Sequence, residues 1–359
     1  MLDRIATIVQ EGRDAGHHLG AQVVVWEHGE PLLDEAFGEA RPGEPLTRDH
    51  LMLWLSCSKP LTAIAVAQKM KTNRIKLEAP VAQYVPEFAE GGKEAITVWQ
   101  LLTHTGGFRN ADIGWKPRPW DESVTRICAA RKEARWEPGE KAGYHVDASW
   151  YVLGEMVARV NDRPFRELLR ERVMEPLGMD HSWVGMPQEA IARLGDRISG
   201  VFDTSASPAE EMTLYGKERI LGLCRPGGNG RGPAHELARF YQALLDGGEG
   251  IIHPATIATF TGRQREGMFD HSFQHDLDWG LGFIVDNKRY GADTAPYSFG
   301  HHASDSAYGH GGNRSSMAMA DPDNGLVIVV LFNGLASEAV HQPRMRTVLD
   351  AIYEEAGLA

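Results

Sequence analysis

Runs of hydrophobic residues near both ends of the chain predict β-strands. Residues 21–40, AQVVVWEHGEPLLDEAFGEA, contain two runs of β-branched and aromatic residues around a His-Gly turn, which is typical of a β-hairpin. Residues 315–334, SSMAMADPDNGLVIVVLFNG, predict a second hairpin, because the turn at 321–325 contains the proline and glycine that a chain reversal favours. Its return strand, 326–332, is apolar on both faces, so we expect it at the centre of a sheet.

Elsewhere, apolar residues recur at the 3.6-residue spacing of a helix. At the N-terminus, Leu2, Ile5, Ile8 and Val9 share one helical face between charged residues, which predicts an amphipathic helix rather than a signal peptide. Residues 337–357 close the chain as another helix. Between the hairpins, the same spacing predicts helices in four segments: 97–107, 148–160, 164–179 and 234–248.

This order of elements predicts an α+β fold, with an antiparallel sheet built from both termini and flanked by helices, and with an all-helical domain inserted in it. We expect residues 1–60 and 235–359 to form the α/β sheet domain. Residues 61–234 then form the mainly helical domain, with the active site at the interface. The best candidates for loops are TSASPAEEMT (204–213) and RPGGNGRGP (225–233).

Composition narrows the functional class. The chain has 359 residues, 42% of them hydrophobic, and a formal net charge of −12 without a long basic run, which argues against nucleic acid and anionic membrane surfaces as partners. No stretch approaches the roughly 18 apolar residues that a membrane span needs. The three cysteines, Cys57, Cys128 and Cys224, are widely spaced, which argues against a disulfide framework and favours a cytoplasmic protein.

The segment LWLSCSKPLTAIAVA, residues 53–67, contains a candidate nucleophile and base. Pro60 is tolerated only near the start of a helix, so the helix begins near Cys57 and Ser56 lies at its positive end. Residues three apart share a helical face, which brings the Lys59 amine within reach of the Ser56 hydroxyl. A desolvated lysine is able to take the serine proton. The structural alternative is that Ser56 caps the helix and Lys59 is solvated.

Two other segments contain candidate polar groups. Tyr144 lies in a turn before the helix at 148–160, where its phenol would relay protons. The structural alternative is a loop tyrosine that hydrogen-bonds to the protein around it. His310-Gly311-Gly312 leads into a strand, and its glycines allow a ligand to approach the backbone. The alternative for His310 is an ordinary turn residue.

In this order, the segments resemble the serine β-lactamase-like family, which includes class C β-lactamases, D-Ala-D-Ala carboxypeptidases and family VIII carboxylesterases. The Ser-x-x-Lys helix is joined by four further similar segments, which cover most of the chain: ITVWQLLTHTGGF, EPLGMDHSWVG, ELARFYQALLDGG and GHGGNRSSMAMADPDNGLVIVVLFNG. The resemblance implies that Ser56 is acylated and that Lys59 activates it. Tyr144 would pass a proton to the leaving group and help to activate the deacylating water.

The resemblance also assigns the segment at 310–313. His310 occupies the family's Lys-Thr-Gly or His-x-Gly position, where it would orient Tyr144 and donate to the substrate. Gly311 and Gly312 would allow close approach of the substrate. The backbone N–H groups of Ser56 and Asn313 would form the oxyanion hole.

One motif departs from the family pattern. The usual Tyr-x-Asn or Tyr-x-Ser is Tyr144-His145-Val146 here, so the third side chain cannot form a hydrogen bond. In class C β-lactamases the asparagine contacts the amide side chain of the antibiotic. Asp147 or Ser149 remain candidates to replace it. The departure weakens the β-lactamase interpretation more than the esterase one.

The sequence therefore predicts a serine hydrolase that forms an acyl-enzyme, with small carboxylic esters as the expected substrates. A β-lactamase, D-amino-acid peptidase or amidase is the alternative, and a non-catalytic sensor or scaffold is a further one. Despite 15 histidines, no metal-binding spacing such as His-Glu-x-x-His occurs, so we expect no metal and no cofactor. The expected partner is a small-molecule ester or amide, and the oligomeric state stays open. Trp115, Trp120 and Trp136 either line an acyl pocket or pack the helical domain.

Overall fold

The computed structural model describes residues 3–111 and 113–359, so Leu2 of the predicted N-terminal helix lies outside the described residues. Helices occur along the whole chain, and none in these two ranges has the length and apolar character needed to cross a membrane. The α-helices, in chain order, are α1 (Asp3–Asp14), α2 (Lys59–Lys71), α3 (Val98–Leu102), α4 (Trp120–Ala129), α5 (Ala148–Asn161), α6 (Phe165–Leu169), α7 (Gln188–Leu194), α8 (Glu218–Leu221), α9 (Ala234–Leu245), α10 (Pro254–Thr261) and α11 (Glu338–Glu355).

The strands fall into one large sheet and shorter pairings around it. In chain order they are β1 (Gly20–Glu27), β2 (Glu30–Arg41), β3 (Glu44–Pro45), β4 (Met52–Leu55), β5 (Trp183–Val184), β6 (Phe202–Asp203), β7 (Glu210–Glu211), β8 (Gly230–Gly232), β9 (Arg265–Asp270), β10 (His275–Trp279), β11 (Ile284–Val285), β12 (Tyr308–Gly312), β13 (Ser316–Asp321), β14 (Leu326–Phe332) and β15 (Gly334–Leu335).

The large sheet has nine antiparallel strands in the order β3-β2-β1-β14-β13-β12-β11-β10-β9. It is built from both ends of the chain, and both predicted hairpins are confirmed as β1-β2 and β13-β14. Strand β14 lies between β1 and β13, the central position expected from its apolar character. The predicted α+β fold class is confirmed.

Side chains of the central strands alternate between two hydrophobic cores, as the two-residue period of a strand requires. On one face, Val23 and Ile328 pack in a core with residues of α1 and α11, including Ile5 and Ile352. On the other face, Val329 belongs to the core that includes α9 and the helices of the middle segment. The sheet is therefore covered on both sides, and α2 begins beside β12.

Residues 61–234 are mainly helical and also contain the short strands β5 to β8. The two loop predictions were wrong in part, since β7 lies within 204–213 and β8 within 225–233. Strand β8 pairs with β4 because Gly230 allows very close packing, and a Cβ atom there would lie 2.5 Å from the Ser58 hydroxyl. The division of the chain into domains at 60/61 and 234/235 stays a prediction.

Candidate active site

Ser56 lies at a tight elbow between strand β4 and helix α2. The strand ends at Leu55, whose φ of 49° turns the backbone, and Ser56–Ser58 form one 3₁₀ turn before α2 begins. The Ser58 hydroxyl holds the elbow, since it donates to the Leu55 carbonyl at 2.6 Å and accepts from the Gly230 N–H at 2.8 Å. Pro60 is tolerated because it lies in the first helical turn. Ser56 is thus held at the helix N-terminus, as the sequence predicted.

Lys59 is fully buried and its amine contacts the Ser56 hydroxyl. The Nζ atom lies 2.9 Å from Ser56 Oγ and donates to the Gly227 carbonyl at 2.6 Å. The amine also lies 5.0 Å from the centroid of the Tyr144 ring. Because the carbonyl of Gly227 accepts one N–H, the lone pair of a neutral Lys59 amine is able to receive the Ser56 proton. The interpretation of Lys59 as a solvated first-turn residue was wrong.

Tyr144 completes the group, because its hydroxyl interacts with the Ser56 side chain and the two residues line the same cavity. Burial raises the pKa of Tyr144 well above its ordinary value of 10.0, so the phenol keeps its proton at neutral pH. A protonated phenol beside the nucleophile is able to donate a proton to a leaving group. The structure thus brings the three predicted side chains together in one cluster.

His104 accepts hydrogen bonds from the residues before and after Tyr144 and so fixes the turn that contains it. No sequence motif pointed to this histidine. The Gly143 N–H donates to the His104 carbonyl at 2.9 Å, and the His145 N–H donates to His104 Nδ1 at 3.0 Å. The N–H of Tyr144 itself donates to the carboxylate of Asp270 at 3.2 Å. Burial holds the pKa of His104 well below 6.5, so the ring stays neutral and Nδ1 remains an acceptor.

We expect His104→Leu to lower kcat by about a hundredfold, because loss of the Nδ1 acceptor frees one side of the Tyr144 turn and small displacements of a proton donor have effects of this size. His104→Asn keeps an acceptor oxygen in the place of Nδ1 and tolerates the left-handed backbone at this position, φ 59°, so we expect it to restore most of kcat. The measurement is kcat and KM for an aryl ester beside the thermal unfolding midpoint. A His104→Leu enzyme with reduced stability but unchanged kcat would show a purely structural role.

His310 lies on β12 and faces the cluster, but its protonation differs from the expected one. Its Nδ1 lies 2.7 Å from the Gly311 carbonyl, which only accepts, so Nδ1 carries the proton. Burial is the main cause that lowers the pKa of His310, to about 3. The neutral ring therefore presents Nε2 as an acceptor, and the structure favours this role over the predicted donation to the substrate. The His310 ring centroid is 6.1 Å from that of Tyr144, and Nε2 has no hydrogen-bond partner among the described residues, so the orienting role stays a prediction.

The end of β12 forms the wall opposite Ser56. Gly312 is required there, since a Cβ atom would lie 2.0 Å from Ser316 Oγ and 2.5 Å from the Trp54 carbonyl. Asn313 follows at the end of the strand and lines the same cavity as Ser56 and Gly311. This placement agrees with the predicted oxyanion hole, whose role stays a prediction.

The neighbouring Cys57 is buried and not poised to react. Its Sγ donates to the His310 carbonyl at 2.9 Å, and burial raises the pKa of the thiol to about 12. The thiolate that a nucleophilic cysteine needs is therefore absent at neutral pH. Of the two side chains beside each other at the elbow, only Ser56 faces the cavity.

The cluster opens into a cavity of about 650 Å³, a volume suited to a small molecule. Its walls are largely apolar or aromatic. Besides Tyr144, the side chains of this kind that line it are Leu55, Trp115, Val146, Tyr215, Phe273, Ile284, Ala295, Pro296 and Tyr297. Of the three tryptophans considered above, Trp115 lines this cavity. Trp120 and Trp136 instead pack against Tyr151 and Arg109, respectively.

A buried ion pair supports one wall of the cavity. Arg225 Nε donates to Asp147 Oδ1 at 2.6 Å, and a second guanidinium nitrogen contacts Asp147 Oδ2. The guanidinium carbon lies 4.0 Å from the centroid of the Trp115 ring. The Asp147 carboxylate is therefore engaged by Arg225, and Ser149 is buried outside the cavity lining. Of the two candidates to replace the hydrogen bond that Val146 lacks, Asp147 lines the cavity and Ser149 does not. Val146, 46% exposed, is the side chain at this point of the cavity.

Within residues 3–111 and 113–359, no group of three or more His, Cys, Asp or Glu side chains is arranged to hold a metal ion. Three histidines around the catalytic cluster make contacts within the protein instead. His104 and His145 hold the Tyr144 turn and the Phe108 backbone, respectively, and His310 lies on β12.

The sequence of this chain is similar to those of known hydrolases. The beta-lactamase family model matches residues 5–352. The esterase/beta-lactamase LipL of Mycobacterium tuberculosis is 26% identical over 89% of this chain and 78% of its own length. The esterase EstB of Burkholderia gladioli is 26% identical over 93% of this chain and 91% of its own length.

Solved structures of related proteins have the same fold as this chain. A penicillin-binding protein homologue from Caulobacter crescentus is 28% identical and superposes with a TM-score of 0.82, over 98% of this chain and 97% of its own. A family VIII carboxylesterase is 25% identical and superposes with a TM-score of 0.79, over 98% of this chain and 96% of its own. The similarity thus extends over both the sheet and the helical segment.

Proposed function

Because the chain belongs to the beta-lactamase family and is a serine hydrolase, we propose that it hydrolyses small carboxylic esters through an acyl-enzyme formed on Ser56. One observation carries the proposal. The Ser56 hydroxyl contacts both the buried amine of Lys59 and the protonated phenol of Tyr144, at the base of a largely apolar cavity.

Acylation begins when the neutral Lys59 amine takes the Ser56 proton and Oγ bonds to the ester carbonyl carbon. The carbonyl oxygen becomes an oxyanion, which accepts hydrogen bonds from the backbone N–H groups of Ser56 and Asn313. As the bond to the leaving alkoxide breaks, the Tyr144 phenol gives it a proton, and the Lys59 ammonium returns a proton to Tyr144. An alcohol leaves, and the acyl group stays on Ser56.

Deacylation reverses these proton transfers with water in place of the alcohol. Water gives a proton to the Tyr144 and Lys59 pair while its oxygen attacks the acyl carbonyl. The bond to Ser56 Oγ then breaks, Oγ regains a proton, and a carboxylic acid leaves. In this proposal the Tyr144 hydroxyl turns toward His310 Nε2, a buried acceptor that has no partner among the described residues.

Esters are favoured over β-lactams because of Val146. An ester requires the nucleophile, the oxyanion hole and an apolar pocket, whereas the class C pattern adds a polar side chain at this position to hold the acylamide. Loss of one such contact, with its partner left unpaired, costs on the order of 1–3 kcal/mol, or a tenfold to hundredfold slowing. EstB is named as an esterase, which supports the same choice, whereas LipL is named as both an esterase and a beta-lactamase.

We therefore expect p-nitrophenyl butyrate to be hydrolysed readily, and penicillins and cephalosporins to be turned over slowly or to act as weak inhibitors. The measurement is kcat/KM for the aryl ester and for a chromogenic cephalosporin on one preparation. Val146→Asn is the matched variant, and we expect it to raise the cephalosporin value relative to the ester value. A cephalosporin value equal to or above the ester value in the unmodified protein would overturn the esterase proposal in favour of a β-lactamase.

We propose a cytoplasmic location and a small-molecule ester or amide as the partner, with no role for nucleic acid or membrane. The support is the net charge of −12 together with three free cysteines, of which Cys57 and Cys128 are buried. Fractionation of cells that express the full-length gene tests the location. Recovery of the protein from the periplasm or the medium would overturn it.

A further inference from the structure

A second cavity of about 760 Å³ lies in the helical segment, apart from the one that contains Ser56. Its lining comes from residues 117–121 at the start of α4, from one side of α5, from residues 162–166 at the α5–α6 connection, and from the segment at 219–224. The two cavities have no lining residue in common. Cys224 faces the second cavity and its neighbour Arg225 faces the catalytic one, so this short segment forms the wall between them.

The floor of the second cavity is aromatic. The Trp120 ring packs against Tyr151 with 5.1 Å between ring centroids and stacks on Phe165 at 5.9 Å. Tyr151 and Phe165 are almost completely buried, whereas Trp120 is half-buried and accessible from the cavity. Such a floor offers a flat apolar surface to an aromatic or aliphatic body.

The wall of the second cavity is rich in arginine. The whole chain carries −12, yet among the described residues this cavity is lined by five arginines against three carboxylates, namely Arg118, Arg159, Arg163, Arg166 and Arg219 against Asp121, Glu155 and Asp162. Whether such a wall can bind an anion depends on which of these arginines have no carboxylate partner.

Three of these arginines are already neutralised. Arg118, Arg159 and Arg163 form ion pairs with glutamates. Arg166 on α6 and Arg219 on α8 have no ion pair and no side-chain hydrogen bond to any residue that the structure describes. Both residues line the cavity.

We propose that this cavity binds a small carboxylate with an apolar body, with Arg166 and Arg219 holding the carboxylate and Trp120 packing against the body. Guanidinium groups suit this role because their fork of N–H donors matches the two carboxylate oxygens. The aromatic floor selects ligands with an apolar body over acetate. The proposed site does not depend on the reaction at Ser56.

The test is isothermal titration calorimetry with phenylacetate. We expect saturable binding to the unmodified protein, and Kd raised by about tenfold or more in the Arg166→Gln/Arg219→Gln variant. The control variant is Arg74→Gln/Arg193→Gln, which removes the same charge from two exposed arginines outside the cavity, and we expect an unchanged Kd. Acetate and 2-phenylethanol, which lack the apolar body and the charge respectively, should bind at least about tenfold more weakly than phenylacetate.

Absence of saturable binding to the unmodified protein would overturn the proposal. So would an equal Kd for the unmodified protein and the Arg166→Gln/Arg219→Gln variant, because binding would then lie elsewhere, for example in the cavity of Ser56. Both arginines are exposed, so the variant is expected to fold, and its thermal unfolding midpoint checks this. Repeating the titration with Ser56→Ala separates the site from the reaction, since the proposed Kd is unaffected by that change.

Discussion

Replacing Ser56 by alanine is expected to lower kcat/KM for p-nitrophenyl butyrate by about five orders of magnitude or more, the scale on which serine hydrolases lose activity without their nucleophile. The Ser56 hydroxyl is the point at which Lys59 at 2.9 Å, the Tyr144 phenol and the catalytic cavity meet. Alanine removes the atom that becomes acylated and leaves the elbow in place, because the hydrogen bonds that hold it belong to Ser58.

Ser272→Ala is the matched control, since Ser272 lines the same cavity and lacks a lysine partner in the described structure. We expect this variant to stay within about tenfold of the unmodified enzyme, because it loses only a hydrogen bond to the Tyr144 carbonyl and one from Arg109. A Ser56→Ala protein that hydrolyses the ester at the rate of the Ser272→Ala protein would refute the assignment of the nucleophile.

Replacing Lys59 by arginine is expected to lower kcat by about 10²–10⁴-fold, the range that a positioned general base contributes. Arginine keeps the positive charge and the ability to donate to Gly227, but its guanidinium does not release a proton at accessible pH. If Lys59 served only to hold the Gly227 carbonyl and the positive charge, arginine would preserve much of the activity. The measurement is kcat for the aryl ester in Lys59→Arg and in Lys59→Met.

Lys93→Arg is the control that separates the effect of replacing a buried lysine from the loss of the catalytic base. Its side chain is also buried and its Nζ donates to the carbonyls of Glu90, Cys128 and Ala130, with no contact to the catalytic cavity. We expect Lys93→Arg to lower the thermal unfolding midpoint while kcat per folded molecule stays unchanged. Unchanged kcat in Lys59→Arg, or equal loss in both variants, would contradict the assignment of Lys59 as the base.

The hairpins and the nucleophile helix are predictable from the sequence because their signals are local. A strand such as β14 is recognisable from seven consecutive apolar residues after a Pro-Asp-Asn-Gly turn, and Ser56 and Lys59 lie within one helical turn. Each of these elements forms because of the residues within it, so a short stretch of sequence is enough to predict it. Only the resemblance to a family linked Tyr144 and His310 to Ser56.

The supports of the site were not predictable in this way, because they act over long separations in the chain. His104 fixes a turn 41 residues later, and Arg225 pairs with Asp147 across 78 residues. The glycines of 225–233 are typical of a loop, yet Gly230 belongs to a strand because it must pass close to Ser58. The acceptor role of His310 depends on its contact with the Gly311 carbonyl, which the sequence does not reveal.

The most direct test of the account is mass spectrometry of the protein after reaction with an activated alkyl fluorophosphonate, followed by peptide mapping. Phosphonylation at Ser56 releases fluoride and leaves one phosphonyl group on Oγ, which mimics the acyl-enzyme. We predict one adduct per chain, on the peptide that contains Ser56, together with complete loss of ester hydrolysis and no adduct in Ser56→Ala. An adduct on a different residue, or full labelling of Ser56 with ester hydrolysis intact, would contradict the acyl-enzyme mechanism.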